Sequence, residues 1–394
     1  MFKHLFKLIW NKKKQNFLFL SEILVSFLVI FVVFAFVVYY YQNYKKPMGF
    51  EYEQVWDVNY NNAQKTKNSD SLVLFYEGLR KSIKSLPEIE EVSFSSTNIP
   101  FSDSHSSTNI HTKDKMYDRI NFYEIDTGYK KVLQIKLVEG RWFSKQDITG
   151  KYIPTVINSH LKEEMFGQES AIGKILGDGE NKSNRKIIGV VEDMKYDGDY
   201  HPVGNSFYSK LDTSAFRWIS HILIRVTPDA DAKFESRLYK LLANTMKESN
   251  IGIKHSTDML KAKNETTAIP LIIFIIVAGF LIVNVALGLF GVLWYSINQR
   301  RGEIGLRRAI GASGRSVTKQ LVSESLLLAS LSLIVGCFFA VQFPLLNVFD
   351  ISAKIYLTAI ILAIIFIYLL VILCSLYPGK QAAAILPAIA LHEE

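Results

Sequence analysis

Four stretches of the chain are almost continuously apolar: Phe17–Tyr41, Ala268–Ile297, Leu326–Leu346 and Ile355–Tyr377. Each is long enough to cross a bilayer, and a helix satisfies its own backbone groups in lipid. The first ends in Tyr39, Tyr40, Tyr41 and Tyr44, as aromatic residues do at a membrane interface. Between the first and second stretches the pattern turns to short periodic segments. Alternation predicts a strand over Val55–Tyr60. Helical spacing then places Leu72, Phe75, Leu79, Ile83 and Leu86 on one face, capped by Ser69 or Asp70 and ended by Pro87. Glu91–Ser95 follows as a strand, which makes a β-α-β unit. A second unit is predicted from Arg119–Ile125, a short helix over Tyr129–Leu133 and Ile135–Val138. After Gly140, strand-like pieces at Ile153–Ile157, Lys186–Val191 and Ser206–Ser209 surround a helix over Ser159–Phe166. His221–Val226, a helix from Asp229 to about Glu248 and Ile251–His255 give a last β-α-β unit. These segments predict two subdomains, the second inserted into the first. At the N-terminus Phe2, Leu5, Phe6, Ile9 and Trp10 share a helical face, with Lys3, Lys7 and Lys12 elsewhere, the pattern of an amphipathic helix on a membrane surface.

The net charge of +8 is not spread evenly. Lys3, Lys7, Lys12, Lys13 and Lys14 precede the first apolar stretch. Arg300, Arg301, Arg307, Arg308, Arg315 and Lys319 lie between the second and third, and Lys380 follows the fourth. Only Glu303, Glu393 and Glu394 oppose them there. The surplus marks loops that stay inside and argues against a nucleic-acid partner. The expected plan is therefore a cytoplasmic helix (1–16), a span (17–41), an extracytoplasmic α+β domain (42–267) and a span (268–297). A cytoplasmic loop (298–320), a span (321–346), an outer loop (347–354), a span (355–377) and a cytoplasmic tail (378–394) complete it. Both cysteines, Cys337 and Cys374, fall in spans, so the large domain uses no disulfide. A domain of that size builds an adequate core without one.

The junction after the second span reads Q-R-R-G-E-I-G-L-R-R-A-I-G-A (299–312). With Asn284 and Leu287 upstream, it resembles the cytoplasmic loop of MacB-type, FtsX-like ABC transporter permeases. E-G-R-W-F-S-K-Q-D (139–147), T-V-I-N-S-H-L-K-E-E-M-F-G (155–167), A-I-G-K-I-L (171–176) and I-I-G-V-V-E-D-M (187–194) are similar to that family's extracytoplasmic domain. P-G-K-Q-A-A-A-I-L-P-A-I-A-L (378–391) resembles its closing segment. The resemblance implies a porter-like α/β lobe with an inserted β-rich lobe. It also implies a bacterial inner-membrane permease that works as a dimer of identical or different subunits, with a periplasmic adaptor as a further partner. A cytoplasmic ATPase on another polypeptide would bind ATP and Mg, leaving no cofactor in this chain. The residues expected at its contact are Arg301, Glu303, Ile304, Arg307, Arg308, Ile310 and Gly311. Export of a peptide, lipoprotein or small toxic compound, or control of an extracytoplasmic partner, would follow. The alternative is a signalling or scaffold protein whose outer domain senses a ligand.

Enzyme chemistry finds little support in the sequence. Gly167 to Gly173-Lys174-Ile175 has one intervening residue too many for a phosphate loop and ends in Ile. Ser159-His160-Leu161-Lys162 fits S-x-x-K without companion motifs, and capping by Ser159 explains it better. Asp193, Asp197, Gly198 and Asp199 lack calcium-loop spacing and read as a turn. No histidine or cysteine spacing suits a metal. Within the spans, Glu22 and Glu324 are expected to snorkel or pair with nearby arginines. Asn284 is expected to hydrogen-bond across a helix interface, where Gly279, Gly288 and Gly291 permit close approach.

Overall fold

The computed structural model describes residues 13–61, 68–96, 98–112, 115–144, 147, 152–176, 185–212, 214–247 and 249–384. They form two compact units, residues 1–42 with 268–394, and residues 43–267. The expected N-terminal amphipathic face and the tail beyond 384 lie outside the described residues.

The first unit is helical. Helix α1 spans Lys13–Tyr44. The domain's helices follow as α2 (Ser69–Lys84), α3 (Tyr129–Val132), α4 (Ser159–Phe166) and α5 (Ala232–Thr245). Then come α6 (Ser256–Gln299), α7 (Arg301–Ala309), α8 (Gly314–Leu345) and α9 (Ala353–Ala383). Helices α1, α6, α8 and α9 are the four long and apolar enough to cross a membrane among the described residues. Helix α6 begins at Ser256, well before its apolar stretch, because Lys261, Lys263, Asn264 and Glu265 are good or tolerated helix residues with no apolar periodicity to announce them. It runs through Pro270.

The core of this unit is built by α1, α8 and α9. Phe27, Phe31, Ala329, Ala359, Ala363 and Ile367 are almost fully buried there. Small residues set the spacing. A Cβ on Gly336 would lie 2.5 Å from the Phe27 ring. Hydroxyls add cross-helix bonds: Ser332 to the Leu20 carbonyl at 2.9 Å, Thr318 to the Gly379 carbonyl at 2.9 Å, and Ser330 with Tyr368 at 2.9 Å.

The second unit is an eleven-stranded sheet. Its strands are β1 (Val55–Tyr60), β2 (Ile89–Ser95), β3 (Ser107–His111), β4 (Met116–Ile125), β5 (Leu137–Gly140) and β6 (Ile153–Asn158). The rest are β7 (Ile175–Leu176), β8 (Arg185–Val191), β9 (Ser206–Lys210), β10 (His221–Val226) and β11 (Ile251–His255). The order is β11-β1-β10-β2-β4-β9-β6-β8-β5, with β3 on β4 and β7 on β8. The first and last expected β-α-β units exist, but interleaved. Strand β10 separates β1 from β2, and β1 separates β10 from β11. Both units are split and share one sheet. The expected middle unit does not form: β4 and β5 lie far apart, and β5 pairs with β8 at the sheet edge.

Alternation decides the faces. Trp56, Val58 and Tyr60 of β1 point to a core closed by Leu72, Tyr76, Leu79 and Ile83 of α2 and by Phe234, Leu238 and Leu242 of α5. Asn68, not Ser69 or Asp70, caps α2, its side chain accepting from the amides of Asp70 and Ser71. The strands from β4 to β8, reached through one β2–β4 register pair (Ser95 with Ile125), have their own core around Ile120, Ile157, Leu161, Ile187, Val190 and Phe207. This is the α/β lobe with an inserted β-rich lobe.

Candidate functional site

Helix α6 stops at Gln299, and Arg300 leaves helical geometry at φ −105°, ψ 15°. The amphipathic α7 then follows as a separate helix, the break falling at Arg300. Gly311 ends the segment with φ +99°, a conformation that favours glycine, and Ser313 caps α8 by accepting from the Ser316 amide.

What holds α7 in place is a small apolar hub. Ile304 is buried against Ile297 of α6, Val317 and Leu321 of α8 and Ala382 of α9. Helices α6, α8 and α9 thus meet at one residue of α7. A polar chain reinforces the hub. Arg307 pairs with Glu303 one turn back and donates to Gln320 of α8 at 2.8 Å. Gln320 donates to Glu324 at 3.2 Å, and Glu324 accepts from Arg300 at 2.8 Å. Arg300 and Glu324 side chains are only 17% and 15% exposed, so removing either one would strand a poorly solvated charge.

Burying Ile304 removes it from the surface a partner meets, because the hub takes it. Outward stand Ile310 at 79% exposed and Leu306 at 54%, one helical turn apart, with Glu303 and Gly311 also exposed. Leu306 shares the outward side of α7 with Ile310 and is absent from the residues expected at the contact. Its signal was available: it lies four residues before Ile310, on the face opposite Ile304. Arg301, Arg307 and Arg308 are half-buried, and Arg308 donates to the Ala312 carbonyl at 3.3 Å.

Two family models match the chain: the FtsX-like permease C-terminal model over residues 275–387 and the MacB-like periplasmic core domain model over residues 17–239. The chain belongs to the MacB-type, FtsX-like permease family. The permease is 25% identical over 283 residues to the macrolide export ATP-binding/permease protein MacB of Bdellovibrio bacteriovorus, covering 68% of this chain and 43% of that one. It is 26% identical over 316 residues to MacB of Hahella chejuensis, covering 75% and 47%. It therefore spans less than half the length of these relatives. Among solved structures, the periplasmic region of MacB from Actinobacillus actinomycetemcomitans aligns with 54% of this chain and 92% of its own, at 20% identity and a TM-score of 0.38. The extracellular domain of YknZ, described as a noncanonic ABC-type transporter from Gram-positive bacteria, covers 50% and 99% at 16% identity and a TM-score of 0.35.

The remaining candidates in the permease find ordinary partners. Asn284 donates to the Phe280 carbonyl of its own helix at 2.8 Å and faces outward; a bond within the turn satisfies it without a neighbour. Gly288 does pack closely, with Glu22 of α1 where its Cβ would stand, whereas a Cβ on Gly279 or Gly291 meets nothing within 4 Å. Glu324 takes Arg300 as expected. Glu22 does not: it packs on Gly288, and its Oε2 is buried without a partner among the described residues. Lys174 pairs with Glu169 at 2.6 Å and lies over the Phe166 ring. Ser159 donates to the Val191 carbonyl at 3.0 Å while Lys162 pairs with Glu139, so the two are committed to different partners. Asn158, rather than Ser159, caps α4.

Proposed function

We propose that this permease transmits mechanical force. A cytoplasmic ABC ATPase seats on α7 through Leu306, Ile310, Glu303, Arg301, Arg307, Arg308 and Gly311, and ATP-driven closure pushes it. The carrying observation is that α7 is fastened to α6, α8 and α9 through Ile304 while presenting two exposed apolar side chains at its tip. A push on such a helix moves the ends of three spans together. Helix α6 relays it, and the 43–267 domain acts on an extracytoplasmic peptide, lipoprotein or small toxic compound. This reading places both termini in the cytoplasm of a bacterial inner membrane. A second permease subunit completes the membrane unit, and a periplasmic adaptor is a further partner where the cargo is exported. ATP and Mg are bound by the ATPase. The basic residues at Arg300, Arg301, Arg307, Arg308, Arg315 and Lys319 support the orientation.

Ile310→Asp tests the contact, since Ile310 touches neither the hub nor the polar chain. Co-purification of the ATPase should fall about tenfold, the effect of losing one interface anchor. Undiminished recovery of the ATPase would refute the contact.

A second reading, ligand sensing, is favoured by one cavity. A space of about 560 Å³ lies at the foot of α6, lined by Asp57, Phe101, His221, His255, Asp258 and Met259. That volume suits a small ligand. A permease that never recovers an ATPase yet changes α6 conformation on ligand addition would favour sensing.

A further inference from the structure

The segment after β8, residues 193–201, reaches in two directions at once. Lys195 is 1% exposed, and its ammonium donates to the Asn43 carbonyl at 2.8 Å and the Lys46 carbonyl at 3.3 Å. Those carbonyls belong to the last turn of α1 and the residues just past it. A cation there satisfies acceptors that the helix leaves unpaired and complements its negative end. Tyr200 stacks on Tyr44 with ring centroids 5.8 Å apart. Gly49, at φ +83°, lies so close to the Asp193 carbonyl that a Cβ would stand 1.8 Å from it.

The same segment holds α6. Asp197 pairs with Lys263 at 3.0 Å, and Lys263 also donates to the Ser102 carbonyl at 3.0 Å. Asp199 and Asn264 are joined twice: the Asp199 amide donates to Asn264 at 2.9 Å, and Asn264 donates to the Asp199 carboxylate at 2.6 Å. His201 lies 3.0 Å from the Thr267 hydroxyl. Lys263, Asn264 and Thr267 fall on one face of α6 by their spacing. Asp197 and Asp199, expected only as part of a turn, therefore hold a helix, with Lys263 supplying the positive charge.

We propose that residues 193–201 are a clasp that gathers the last residues of α1 and the first part of α6, within the 43–267 unit, and ties both to strand β8, so that the inserted lobe moves with these two helix ends. Lys195, Asp197 and Asp199 are its positioning residues. The β-rich lobe also joins the α/β lobe through the β2–β4 register pair and through a shared core in which Val55, Leu223 and Leu260 meet Tyr123, Val156, Val191 and Tyr208. The clasp adds a polar tie to the apolar contact that Leu260 of α6 makes with that core. The proposal rests on the force-transmission reading, yet its test needs no ATPase, so the two fail separately.

The test is a distance measurement between spin labels in the full chain. Lys46→Cys and Glu265→Cys are labelled in a Cys337→Ser, Cys374→Ser background and reconstituted in phosphatidylcholine–phosphatidylglycerol nanodiscs. Pulsed electron–electron resonance should give one narrow distance population. Asp197→Ala and Lys263→Met, which cut the clasp from opposite sides, should each abolish it in favour of a broad distribution. Asp229→Ala, a charge loss at an exposed site away from the clasp, should leave it narrow. Narrow distributions in the clasp variants, or an equal broadening by Asp229→Ala, would overturn the proposal. Should Asp197→Ala fail to fold, Lys263→Met decides the matter, because its side chain is replaced by an apolar one of similar length.

Discussion

Helices α6 and α9 are both long, strongly apolar and able to cross a membrane, yet they use their surfaces in opposite ways. Along α9, Ile355, Ala359, Ala363, Ile367 and Val371 recur at helical spacing, and each is buried against α1 and α8. Along α6, Ile272, Ile273, Ile275, Ile276, Val277 and Phe280 all point outward, and the helix buries its first large apolar side chain in the bundle only at Leu289. Apolar composition records the solvent a helix tolerates, not the neighbour it has. What separates the two is the placement of small residues. Ala359 and Ala363 face the bundle core, while Gly279 and Gly291 of α6 face open space.

Glycine replacements should expose this contrast most sharply. Gly336→Leu drives a side chain into the Phe27 ring and should cost about 3 kcal/mol, as overpacked cores do, lowering the thermal midpoint in detergent. Gly279→Leu, on the open face of α6, should leave that midpoint unchanged. An equal loss from both would mean that α6 is packed as tightly as α8.

A smaller effect is expected where α6 does make contact. Arg300→Ala or Glu324→Ala leaves one poorly exposed charge alone and should cost about 1–2 kcal/mol, with a double-mutant cycle returning roughly 1 kcal/mol of coupling. A coupling of zero would place the junction's strength in the Ile304 hub alone. Smaller again is Gly288→Ala, expected to cost about 1 kcal/mol because the Glu22 side chain can swing aside. In an Glu22→Ala background that cost should vanish.

The α/β domain adds a contrast of its own, because its clasp titrates. Burial alone would raise the Asp197 carboxyl, but His105 and Lys263 outweigh it and hold the group below its ordinary value. A carboxylate with a lowered folded-state pKa contributes stability above its unfolded value. That contribution is lost as pH falls through the lowered one. The stability difference between the parent and Asp197→Asn should therefore be full at neutral pH, begin to fall near about pH 4, and disappear only once the pH is below the lowered folded-state value. A difference that persists unchanged in acid would show that the carboxylate's charge is not what holds Lys263.

Much of this architecture was legible from residue pattern. The four long helices follow from apolar runs, and α2 and α5 from helical spacing with polar caps, because these signals are local. The strand order was not legible. Nothing in Val55–Tyr60 or His221–Val226 says that one lies between the partners of the other; that depends on closing a sheet over two helices. The same holds at the candidate site. The basic junction stood out, but the inward turn of Ile304 requires Val317 and Ala382 to be in place. The clasp was invisible for a similar reason: Asp197 and Asp199 find Lys263 and Asn264 more than sixty positions later, as the sequence separation of the Asp199–Asn264 bond, 65 residues, shows.

Asp126 sits at the seam between the two halves of the sheet. Its carboxylate accepts from the Ser93 hydroxyl at 2.7 Å, the Phe94 amide at 2.9 Å and the Gly128 amide at 2.8 Å, and it pairs with Arg80 of α2. Where neighbouring strands elsewhere share a ladder, here one acid stitches the seam. Two amides, a hydroxyl and a guanidinium converge on a single carboxylate, so removing it would strand all four donors at once.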